Sequence, residues 1–130
     1  MQMPVYSFRG YSLKEVVIKN DSNHNNTYIT INVSGEMINN VYVMNIIVKS
    51  DFDSKEESYF KFESLFQIND MNWYNTLNEK ELKMVFSSVV FPFVRERIYV
   101  MTTDLNPGLL IPMLDLKSFD VTKEIRLVRK

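Results

Sequence analysis

The sequence predicts an α+β domain: a four-stranded antiparallel sheet, as a meander or Greek key, followed by helices packed on one sheet face. Three observations carry this reading. Up to residue 68, apolar stretches suited to strands follow one another, separated by polar turn-like connections. After residue 70 the apolar spacing changes to three and four residues, the period of an amphipathic helix. The chain has 130 residues, enough for one domain that hides about two thirds of its unfolded surface. Strands first and helices after is the pattern of the α+β class.

The first strand is expected within Tyr6 to Lys19, where Tyr6, Phe8 and Tyr11 precede the β-branched run Val16, Val17, Ile18. Gly10 inside it predicts a bulge or bend. Asn20 to Asn26 has pure turn composition. Thr27 to Val33 then alternates, with Tyr28, Thr30 and Asn32 on one face and Ile29, Ile31 and Val33 on the other. A turn at Asn39 and Asn40 leads into Val41 to Lys49, apolar on both faces apart from Asn45 and so suited to a central strand. Asp51 to Ser58 reads as a charged hairpin loop. Tyr59 to Ile68 places Phe60, Phe62, Ser64, Phe66 and Ile68 on one side and Lys61, Glu63 and Gln67 on the other.

The helical spacing involves Leu82, Val85, Phe86, Val89, Val90, Phe93, Val94, Ile98 and Met101. Pro92 interrupts it, since proline lacks the N–H donor and disfavours helix in the residue before it. A short helix near Glu79–Phe86 followed by a longer one starting at Pro92 satisfies the pattern, and so does a single kinked helix. Leu105 to Pro112, with two prolines and a glycine, predicts an extended apolar connection. The tail from Val121 is open between strand and helix.

Composition excludes several chemistries. With 15 Lys+Arg against 16 Asp+Glu the formal net charge is −1, which offers no electrostatic hold on nucleic acid or anionic lipid. No cysteine means no disulfide, no thiolate metal site and no Cys nucleophile, and the single His24 cannot build a multi-histidine metal site. The three glycines, at 10, 35 and 108, form no phosphate-binding loop. Asp51, Asp53, Glu56 and Glu57 lack the turn glycine and alternation of a metal loop and read as a solvated hairpin tip. Glu79, Glu81 and Glu96 have no facing carboxylate by spacing and read as helix-surface charge. No cofactor and no enzyme activity is expected. Without a basic patch and apolar run at the N-terminus, or about 20 consecutive apolar residues elsewhere, the chain reads as cytoplasmic and not membrane-bound.

What remains is a surplus of large apolar side chains: nine Phe, seven Tyr and eight Met. Most fill a core. Trp73 and Tyr74, and Leu109, Leu110 and Ile111, fall in non-periodic connections, where exposed apolar surface marks an oligomer interface or a partner groove. Together with Phe60, Phe62 and Phe66 they are the candidate peptide-binding residues.

The stretch Val89 to Ile98 resembles the Phe-Pro-Tyr-Ala-Arg-Glu-x-Ile segment of SecB-type protein-export chaperones, matching it at Phe91, Pro92, Phe93, Arg95, Glu96 and Ile98. Asn106 to Pro112 and then Phe119-Asp120 are similar to the family's two-proline segment and Asn-Phe-Asp. The likeness spans roughly Tyr6 to Asp120, with specificity concentrated in Phe-Pro-Phe-Val-Arg-Glu. It implies a small subunit of a bacterial chaperone, assembled as a homotetrameric dimer of dimers. Such a chaperone binds non-native polypeptides in apolar grooves without ATP and serves protein export. Arg95 and Glu96 would then position the helix from Pro92.

The chain departs from the family in its short polar connection at Asn20 to Asn26, where the family carries groove aromatics. Lys19 and Lys61 stand where the family's motor-binding surface is acidic or apolar, although Glu15 and Glu63 match two of its acidic positions. These departures weigh more against delivery to the translocation motor than against holding. They also suit a restricted groove, as in a chaperone dedicated to one partner such as an antitoxin. A non-chaperone oligomeric scaffold or adaptor is the reading from a different class.

Overall fold

The computed structural model describes residues 3–18, 28–51, 57–102 and 120–128. The described strands are β1 (Tyr6–Val17), β2 (Tyr28–Ile38), β3 (Val41–Asp51), β4 (Glu57–Ile68) and β5 (Ile125–Val128). Helices α1 (Met71–Asn75) and α2 (Glu79–Met101) lie between β4 and β5. All strand pairs are antiparallel, in the order β1-β4-β3-β2-β5. The first four strands follow a Greek-key order, because β1 lies beside β4 and not beside β2.

The sheet has one strand more than the sequence reading expected. The tail is a strand at Ile125–Val128, paired to β2 from Ile31↔Ile125 to Tyr28↔Val128. Asp120 accepts hydrogen bonds from the hydroxyl (2.6 Å) and N–H (3.0 Å) of Thr122, which hold its carboxyl below the usual range and shape the turn into β5. Buried Val121 and Ile125 anchor the segment in the core.

Local chemistry accounts for the strand geometry. Asn39 and Asn40 have φ of 48° and 63°, the pair of positive values that a two-residue type I′ hairpin requires and that asparagine tolerates. Gly10, at φ 107°, sits where the β1–β4 register shifts between Phe8 and Tyr11, so the expected bulge is present without breaking the strand.

The buried face of the sheet carries Ile29, Ile31 and Val33, then Tyr42, Met44, Ile46 and Val48, then Phe60, Phe62, Phe66 and Ile68. Ser64 fits this apolar row by donating its hydroxyl to the Met44 carbonyl at 3.2 Å. On α2 the matching stripe is Leu82, Phe86, Val90, Val94 and Ile98, one residue every four, with Phe91 beside it.

A helix beginning at Pro92 is not what forms: α2 runs unbroken from Glu79 to Met101 with Pro92 inside it. Pro92 is exposed, so its ring and the lost bond to the Ser88 carbonyl lie on the solvent side. The buried stripe on either side holds the helix together. Asn78 starts it with a reciprocal capping box: its side chain accepts from the Glu81 N–H (2.8 Å) and Glu81 accepts from the Asn78 N–H (3.1 Å). Residues 71–75, read from sequence as an irregular connection, form the single-turn α1, capped by Asp70 accepting from the Trp73 N–H at 3.1 Å. The loop expected over Asp51 to Ser58 is shorter, because Asp51 pairs with Glu57 and Ser50 with Ser58 at the ends of β3 and β4; residues 52–56, His24 and the extended connection at residues 105–112 lie outside the described residues.

Candidate functional site

One end of the helix–sheet interface is aromatic. Phe66 and Phe86 stack at 4.3 Å between ring centres, with Tyr42 4.9 Å and Tyr6 5.2 Å from Phe86. Trp73 stacks on Tyr6 at 5.6 Å, and Tyr74 lies 6.4 Å from Tyr42. Trp73 and Tyr74 are therefore half-buried lids on the end of the core. Phe60, Phe62 and Phe66 are fully buried beneath α2, and in this structure they pack the core and present no open surface. Leu109, Leu110 and Ile111 lie outside the described residues.

The residues of the helix motif divide by face. Phe91 and Ile98 enter the core. Phe93, 44% exposed, stacks on Phe8 (6.0 Å) and Tyr11 (5.6 Å) and so joins α2 to β1. Pro92 and Glu96 are exposed and Arg95 is half-buried.

A cleft of about 300 Å³ opens where β2 meets the α1–α2 connection, between Gly35, Tyr42, Tyr74, Leu77 and Leu82, with Glu36, Asn75 and Glu79 also lining it. Gly35 makes it possible. A Cβ there would fall on the Tyr42 hydroxyl, which crosses from β3 over the glycine. Burial first, then the neighbouring Tyr74 and Glu79, push the Tyr42 phenol up to about 12, so it is neutral throughout the physiological range. Of these residues the sequence reading used none but Tyr74 for a site. The one local signal was a glycine inside an alternating strand, a mark of close approach.

Beside the cleft, β2 offers main chain. It pairs with β3 along its whole length without a register shift, but with β5 only at residues 28–31. From Asn32 to Ile38 its outer edge has no strand neighbour among the described residues. A regular strand edge next to a cleft can take an added strand, with backbone hydrogen bonds for affinity and the cleft for a side chain.

The opposite sheet face is charge-paired. Lys14 lies 3.7 Å from Glu63 and Lys61 lies 3.9 Å from Glu15, and Lys49 sits over the Tyr59 ring at 5.9 Å. Glu63 and Glu15, matched by sequence to two acidic family positions, each lie within 4 Å of a lysine. Among the described residues no group of three potential metal ligands occurs, and no helix is long and apolar enough to cross a membrane.

Among solved structures the chain is similar to the Mycobacterium tuberculosis SecB-like chaperone Rv1957 in complex with a ChAD peptide from the HigA1 antitoxin. The TM-score is 0.64 at 18% identity, over 85% of this chain and 88% of that one. The fold is SecB-like. No protein-family model matches the sequence, and no curated protein does. The likeness rests on the shared arrangement of sheet and helices, with few residues in common.

Proposed function

We propose that this SecB-like chain is an ATP-independent chaperone that holds a protein client in extended form along β2, with client side chains in the cleft at Gly35. The observation that carries the reading is the SecB-like fold with a regular strand edge, without a strand neighbour among the described residues from Asn32 to Ile38, beside a cleft of mixed apolar and polar lining. Each 100 Å² of apolar client surface covered would contribute about 2.5 kcal/mol. Holding needs no covalent chemistry and no cofactor. In this reading the protein is a homo-oligomer, a dimer of dimers acting in a bacterial cytoplasm, with Trp73, Tyr74 and Leu109 to Ile111 extending the client surface.

A single dedicated client is favoured over a broad range of unfolded chains. The similar Mycobacterium tuberculosis chaperone is bound to an antitoxin peptide, and the part of β2 with no outer strand neighbour among the described residues is only seven residues long, Asn32 to Ile38. The lysine-paired outer face gives no support to docking on an export motor.

The test is light-scattering mass of the purified protein, alone and with an unfolded, reduced polypeptide, then with the products of neighbouring genes. A tetramer that gains the mass of the unfolded polypeptide supports general holding. A tetramer that gains only a neighbour-encoded partner supports the dedicated role. A monomer that binds neither overturns the reading.

A further inference from the structure

We draw no further inference here: the strongest candidate, the apolar stripe of Val85, Val89, Phe93 and Val100 along the outward face of α2, is half-buried at its first two residues and exposed at its last two, and nothing in the structure shows what covers it.

Discussion

The two outer strands of the four-strand Greek key meet their surroundings on different terms. β1 has β4 on one side along 12 residues, and its register shifts twice, at Gly10 and again between Leu13 and Glu15. Arg9, Lys14 and Glu15 lie along it, and its end exposes Val16 and Val17. Bulges and charges of this kind interrupt the even row of donors and acceptors that an incoming strand needs. β2 keeps an uninterrupted register against β3, is closed over its first four residues by β5, and has no further strand neighbour on that side among the described residues. The regular edge is the one beside the cleft. The difference is why the proposed strand capture is assigned to β2 and not to β1, with β5 limiting how much of β2 is on offer.

The largest effect is expected from removing what closes β2. Ile125→Ala takes a buried anchor from β5 and should lower stability by about 2–5 kcal/mol in urea unfolding, whereas Val17→Ala on β1, 47% exposed, should change it by about 0.5 kcal/mol or less. If the two losses are equal, the edges are not distinct.

A glycine on each edge sharpens the contrast. Gly35→Ala drives a methyl onto the Tyr42 ring and should destabilise by about 1–3 kcal/mol while weakening peptide capture. Gly10→Ala meets open space and suffers only its positive φ, about 1 kcal/mol. Thermal melts and the fluorescence anisotropy of a labelled unfolded polypeptide on both variants check this, and loss of capture in Gly10→Ala would move the site to the other edge.

The smallest effect lies at alkaline pH. Because the folded state holds the Tyr42 proton to about 12 and the unfolded chain releases it near 10, stability is intact below pH 10 and falls as pH rises through that window. Between pH 9 and pH 11 the native protein should lose about 1 kcal/mol more than Tyr42→Phe, read from paired urea titrations. Identical slopes would mean that the phenol is not shielded at the cleft.

Much of this architecture was legible because it is local. Alternation assigned Ile29, Ile31 and Val33, and Phe60 to Ile68, to the face they occupy, since a strand's side chains have a strict period of two. Four-residue steps from Leu82 to Ile98 marked the buried stripe of α2, and Asn39-Asn40 marked the hairpin turn.

Whatever depends on residues far apart in the chain was decided by the tertiary structure. Pro92 argues for a helix start when read alone; only the packing of Phe86, Val90, Val94 and Ile98 on the sheet carries the helix through it. Four residues at Ile125 hold too little pattern to name their partner, and pairing with β2 makes them a strand. The cleft joins Gly35 and Tyr42 from the sheet to Tyr74, Leu77 and Leu82 from the helical segment. The sequence determined which faces are apolar, because periodicity is written into neighbours; the fold decided which faces and edges meet, because burial and strand pairing are settled between distant segments.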